Sequence, residues 1–397
     1  NDFLLHFLYT KKHPDTEKDD GGMTINSENL ADNYKNEYPN YTDVELLVDE
    51  LELNAKIYCL LKQVTPFTED DIAENKVRER MNVLIKIMNT SLKAENQHLP
   101  ILLLIFVNAY DKKEEVFHAP LVKDLIDNAF KIFVFKLSYT LHGQAPNLFR
   151  PNMNNIIKRI RENKEATNQT IKNYAAPAKD FDEFQKQDNN VESDKTTAKR
   201  NFCKNFLGEN GLIEKIRNGD IDFEQKNSIA TGLFMLIEDY ITKGLHGDNL
   251  KYFEKIDLDH IFPQEDKYWK KHPDIINLNA KKYWLGNLCA VLEKVNKKVG
   301  CTPWRMDEDY FMKSPKEYTK TNQKGKPTPR DKISLYFSVS TAITNIIINQ
   351  SGADVDTGTL KRNNSDFNSE TISNLTGIWC THLEQAFSFD RKFSDTL

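Results

Sequence analysis

No apolar run in this sequence approaches the roughly 18 to 20 residues that a membrane span requires. The best candidate, Ile101-Leu102-Leu103-Leu104-Ile105-Phe106-Val107, is far shorter and reads as a buried core helix, so no membrane partner is expected. Cysteine is scarce as well. The five present (Cys59, Cys203, Cys289, Cys301, Cys380) are odd in number, widely spaced and without a CxxC pair, which argues against both a disulfide framework and a structural zinc site. A reducing cytoplasm is the simplest compartment. The N-terminus has no basic, apolar and small-residue succession of the signal-peptide kind, and its start at Asn1-Asp2-Phe3 without an initiator Met reads as a fragment. There is no internal repeat and no long low-complexity tract. Nor is there an excess of positive charge: the chain carries a net charge of -5, which by itself argues against a strongly basic nucleic-acid binder.

What is present is a polar but foldable composition. Hydrophobic residues make up 39% and charged residues 28% of 397 residues, with Phe 23 and Tyr 15, enough for two or more lobes with their own cores. Helical periodicity dominates. Val44 to Val64 predicts an amphipathic helix that Thr42 can cap, and Val77 to Leu92, Leu99 to Tyr110, Pro120 to Leu141, Met153 to Glu162 and Ile229 to Thr242 continue the pattern. Polar stretches near 11–41, 163–200 and 350–369 are poor in core residues and read as loops or insertions. The expected organisation is mainly α: a helical domain over 1–243 with polar insertions near 11–41 and 163–200, then a second domain over 244–397.

The second domain begins differently. Tyr252 to Ile261 can form a strand, Tyr283 to Leu292 a second short strand or its turn, and Glu293 to Val299 has helical composition before Gly300 and Pro303. Strand, loop, strand, helix is the predicted order. Ile333 to Asn349 and Ile372 to Phe387 follow as helices, with Trp379 expected in the core rather than stacked on a base.

The chemistry concentrates at the first strand, in Asp257-Leu258-Asp259-His260-Ile261-Phe262-Pro263-Gln264, followed by Leu285-Gly286-Asn287-Leu288 and Asn296. Hydrolysing a phosphodiester takes a base for the attacking water and a hard cation for the phosphate oxygens. Neutral His260 suits the first task; Asp259 and the amide oxygen of Asn296 are hard ligands suited to Mg2+ or Mn2+. Neighbouring strand residues face opposite sides, so Asp259 and His260 divide between metal and water if the strand ends or bulges there. Asn287 is placed to hydrogen-bond the loop backbone and so fix the histidine. Asp257 is a further candidate for metal support, although a solvated strand-end acid explains it equally well.

These residues carry a resemblance. Asp259-His260-Ile261, Pro263-Gln264 and the interval of nine between Asn287 and Asn296 resemble the HNH, or His-Me finger, nucleases. The longer series of His-Ile-x-Pro-Gln, Leu-Gly-Asn-Leu and Asn after a helical lobe is similar to the C-terminal half of GmrSD-type restriction endonucleases, which act on modified phage DNA. The resemblance implies an embedded ββα-metal core, with Asp259 and Asn296 as metal ligands, His260 as general base and Asn287 as loop support. It also implies a bacterial cytoplasmic protein of phage defence and a 5′-phosphate product. It covers about Lys251 to Gly300 strongly and the helical remainder loosely. Asp259 stands where the family often has Glu. The family's N-terminal Asp-Gly-Gln-Gln-Arg motif is absent, so an NTP-binding, modification-sensing half would be a partner missing from this chain.

Charge placement points to the same partner. Residues 267 to 332 hold 14 Lys and 2 Arg against 7 acids, a net of +9, so the rest of the chain sums to -14. Lys270, Lys271, Lys294, Lys297, Lys298 and Arg305, with Lys267, Lys281 and Lys282 nearby, form a candidate phosphate track for DNA. Taken singly, each lysine is better explained as solvated surface. An isolated Asp-His pair is also more often structural than catalytic. The rival functions are a DNA-binding module with a decayed nuclease core and an RNA-directed nuclease. The other histidines, including His6, His98 and His118, lack a matching acid and asparagine and are expected mostly at the surface.

Overall fold

A computed structural model describes residues 2–11, 30–92, 97–141, 153, 156–158, 160–161, 211–241, 256–262, 273–292, 368–387 and 392–396. The described part is mainly helical, and no helix in it is long and apolar enough to cross a membrane. Packing divides the chain into two units, Asn1–Glu209 with Phe389–Leu397, and Asn210–Ser388.

The first unit holds α1 (Asp2–Lys11), α2 (Leu30–Glu37), α3 (Tyr41–Leu61), α4 (Asn75–Ser91), α5 (Leu99–Ala109), a hairpin of β1 (Tyr110–Asp111) and β2 (Val116–Phe117), and α6 (Ala119–Leu141). Helix α5 is apolar on every side, and Leu99 to Phe106 are all buried, as an all-round apolar helix must be. It packs against α1, α3 and α6. Helix α4 instead buries one face through Val77, Met81, Leu84, Ile85 and Met88. The chain's last described residues complete this unit. Arg80 Nε donates to the Phe393 carbonyl at 2.8 Å, its guanidinium lies 3.5 Å from the Phe393 ring centroid, and Ser394 binds the Asp127 carboxylate through N–H and hydroxyl, each at 2.9 Å.

Several sequence expectations shift here. The cap of α3 is Asn40, whose N–H donates to Asp43 Oδ2 at 3.1 Å, and Thr42 lies inside the helix. Part of the expected 11–41 loop is helix α2. Its Tyr34 stacks on Phe7 and donates to the Leu4 carbonyl, a tertiary anchor that outweighs a polar local sequence.

The second unit holds α7 (Leu212–Asn218), α8 (Asn227–Ile241), β3 (Ile256–His260), α9 (Ile275–Ala280), β4 (Leu288–Leu292) and α10 (Ser369–Ala386). Strands β3 and β4 pair antiparallel, with Leu258 opposite Ala290, Asp259 opposite Cys289 and His260 opposite Leu288. Helix α8, which the sequence reading assigns to the helical domain, packs on both strands. Helix α10 starts at the Asn368 cap, whose Oδ1 accepts from the Glu370 and Thr371 N–H groups, and it buries Trp379 edge-on to Phe234. The expected helices at 293–299 and 333–349 lie outside the described residues, so the strand pair is described and a complete ββα-metal core is not.

Candidate functional site

The strand pair brings the end of β3 beside a tight turn. Before β4 the chain makes one 3-10 turn at Leu285–Asn287, and α10 presses against it. That approach needs glycine at 286, because a Cβ there would sit 2.1 Å from the Ile372 carbonyl oxygen and 2.6 Å from Thr376 N. The Gly286 N–H donates to Thr376 Oγ1 at 3.0 Å, while that hydroxyl donates to the Ile372 carbonyl. Nearby, Gly219 takes a left-handed φ of 77° where any Cβ would strike the Trp284 ring.

Asn287 is fully buried and holds the chain just after His260. Its Nδ2 donates to the Phe262 carbonyl at 3.0 Å and to the Lys282 carbonyl at 2.7 Å. Its Oδ1 accepts from the Phe262 N–H at 2.8 Å, and its own carbonyl accepts from the Ile261 N–H at 2.9 Å. Both amide hydrogens and both oxygens are thus committed to backbone. The two residues that follow His260 are fixed by this one side chain and its carbonyl.

His260 is half-buried, with its ring edge-on to Tyr283 at 5.8 Å and 87°. Its Nε2 is buried with no hydrogen-bond partner. Burial first, and the Lys282 ammonium second, push the imidazole down to about 4, so it is neutral at pH 7. Neutral imidazole with an unpaired ring nitrogen is a proton acceptor or a metal ligand in waiting. Tyr283 and Lys282, which flank it, were not singled out by sequence beyond the general basic track. Their neighbourhood to His260 comes from the turn that precedes Asn287.

Asp259 occupies β3 beside His260 in the register given above. Asp257 is half-buried and accepts from the Leu258 N–H at 2.9 Å. Asn296, Lys270, Lys271, Lys294, Lys297, Lys298 and Arg305 lie outside the described residues. Lys281, a nearby candidate for the phosphate track, is engaged within the unit: its Nζ donates to the Ser369 carbonyl at 3.0 Å and Ser373 Oγ at 2.6 Å, and sits over the Trp284 ring. These bonds tie it to the start of α10.

A separate group lies in the first unit. Asp111, Glu114 and His118 offer ligand atoms within 4.8 Å of one another on the β1–β2 hairpin. His118 Nε2 is 3.0 Å from Asp111 Oδ2, a pairing that raises the histidine, and Asp111 Oδ1 also accepts from the Lys113 N–H. The spacing of three and four residues was the available sequence signal, and it went unread because the hairpin that closes it is only two residues per strand. All its hydrogen bonds are internal to an exposed turn, so the hairpin itself explains them. His6 and His98 also depart from expectation, since both are buried.

Compared with models of known protein families, with curated proteins and with solved structures, the chain matches none of them. The reading of the site therefore rests on its own residues.

Proposed function

We propose that the second unit carries a metal-dependent DNA endonuclease site of the HNH, or His-Me finger, kind, and that it is the nuclease part of a restriction system acting on modified DNA. One observation carries this reading: Asn287 clamps the backbone immediately after a neutral, unpaired His260 at the end of β3. The buried Nε2 of His260, with no partner in the protein, is open to a proton or a ligand.

The donor chemistry fits a hard divalent cation. Asp259, with Asn296 from the following segment, would hold Mg2+ or Mn2+, and Asp257 stands two residues away on the same strand. When bound, the ion supplies charge neutralisation at the phosphate oxygens. The chain's own groups do the rest. His260 accepts a proton from water through a ring nitrogen, and the resulting hydroxide attacks phosphorus. The bond to the leaving 3′ oxygen breaks with its electron pair, giving a 5′-phosphate and, after protonation, a 3′-hydroxyl. Asn287 positions His260 by fixing the two residues after it. Lys282, close enough to depress His260, attracts the phosphate, and the arriving negative charge raises the imidazole toward the range in which it is a better base.

The experiment is a side-by-side incubation of the full chain with supercoiled plasmid and with single-stranded RNA, in Mg2+ or Mn2+ and in chelator. Nicking of plasmid that chelator abolishes is expected. Salt-dependent DNA binding without cutting in any divalent ion would replace the reading with a decayed binding module. Cutting of RNA alone would replace it with a ribonuclease. For the metal, Asp259→Ala and Asn296→Ala are expected to weaken Mn2+ binding by calorimetry, and unchanged binding removes them as ligands.

A further inference from the structure

Residues Phe393–Thr396 are held to the first unit as a ligand is held. They form a single 3-10 turn that packs on α6. Among the described residues no backbone-to-backbone hydrogen bond joins this turn to α4 or α6. The joining is done by side chains of those two helices, which also pack on one another, with α6 packed on α5 as well.

Arg80, on α4 and only 4% exposed, donates through Nε to the Phe393 carbonyl at 2.8 Å and lays its guanidinium 3.5 Å from the Phe393 ring centroid. That ring is fully buried and stacks on Phe130 of α6, with centroids 5.0 Å apart. Asp127, three residues earlier on the same face of α6, divides its carboxylate over the next residue. Its Oδ1 accepts from the Ser394 N–H and its Oδ2 from the Ser394 hydroxyl, each at 2.9 Å. Two charged side chains thus meet four features of one dipeptide: an aromatic ring, a carbonyl, an N–H and a hydroxyl.

The geometry points to a peptide-recognition site on the paired helices α4 and α6, specific for a Phe-Ser dipeptide and filled by the chain's own Phe393-Ser394 as a detachable strap. The guanidinium face calls for an aromatic ring. The two carboxylate oxygens call for an N–H and a hydroxyl on one residue, which excludes proline there and leaves alanine one bond short. Covalent attachment gives the strap an effective concentration on the order of millimolar, so the site stays filled unless a competing segment offers the same four groups. A segment woven into the core opens only when the whole unit unfolds. A strap opens by itself, because its bonds are few and end on side chains. None of this depends on the chemistry at His260.

The test uses the full chain carrying Phe393→Ala, whose strap has lost its ring, and a fluorescein-labelled peptide of residues 389–397, read by fluorescence anisotropy with circular dichroism to follow folding. The variant is expected to keep its helical signal and bind the peptide saturably, while the wild type, filled by its own strap, binds it at least about tenfold more weakly. A peptide with Ser394→Ala is expected to bind the variant about tenfold more weakly, the loss of one charge-assisted hydrogen bond. Hydrogen exchange of the wild type gives a measurement that needs no variant: the Ser394 amide should exchange by local opening while the amides of α4 and α6 stay protected. Loss of the helical signal in Phe393→Ala, no saturable binding to the folded variant, equal binding by the wild type, equal affinity of the Ser394→Ala peptide, or Ser394 exchange only on global unfolding overturns the proposal.

Discussion

At the scale of single residues, the Asn287 side chain makes three hydrogen bonds to backbone beside the strand pair. Replacing it with Ala strands the Phe262 N–H and two carbonyls in a buried turn, and a loss of about 3 kcal/mol in urea unfolding is expected. A change below about 0.5 kcal/mol would show that the turn holds itself. His260 makes a kinetic prediction. As the proposed base His260 must be neutral to act, and burial pushes it down to about 4, so the acid limb of kcat/KM for cleavage should lie near 4 rather than near the ordinary 6.5. A limb at 6.5 would mean that burial and Lys282 do not govern this imidazole. The residue types of the proposed site are readable from sequence at this scale. The neighbours are not: which lysine faces His260 and which is pinned to α10 depends on the turn at 281–287, whose geometry no pattern of apolar residues encodes.

Among elements, the close seating of α10 on the 3-10 turn is the most exacting contact. Gly286→Ala should destabilise the second unit by about 1–3 kcal/mol, because the new methyl meets backbone atoms of α10 that cannot swing aside. Thr376→Val tests the same contact by leaving the buried Gly286 N–H unpaired, with a similar loss of about 1–3 kcal/mol by urea unfolding. Wild-type stability in both variants would show that α10 is loosely held there. Long helices were readable because their apolar faces repeat over many turns, as in α4 and α6. Helix α2 and the β1–β2 hairpin were not, since each is short and is held by partners far away in sequence, Phe7 and Leu4 for α2. The boundary at 243 expected from composition differs from the packing division at 209 because α8, though helical in pattern, buries its apolar face on the β strands.

For the whole molecule, three histidines, the buried His6 and His98 and the half-buried His260, act together. His6 and His260 are pushed down to about 4 and His98 to about 3, burial being the largest cause in each. The unfolded chain binds more protons than the folded one between about 6.5 and these values, so stability is fully present above about 6.5 and falls as pH drops through that window. Thermal unfolding across the window should show Tm falling with pH. A flat profile would mean that these rings are solvated.

The nuclease reading itself is tested most directly by one comparison: wild-type chain and His260→Ala, each incubated with supercoiled plasmid and Mn2+ under identical conditions, with circular dichroism confirming that both are folded. Nicking by the wild type is expected, with a loss of at least about a hundredfold in the variant, the usual contribution of a positioned general base. Undiminished nicking by folded His260→Ala would contradict that reading.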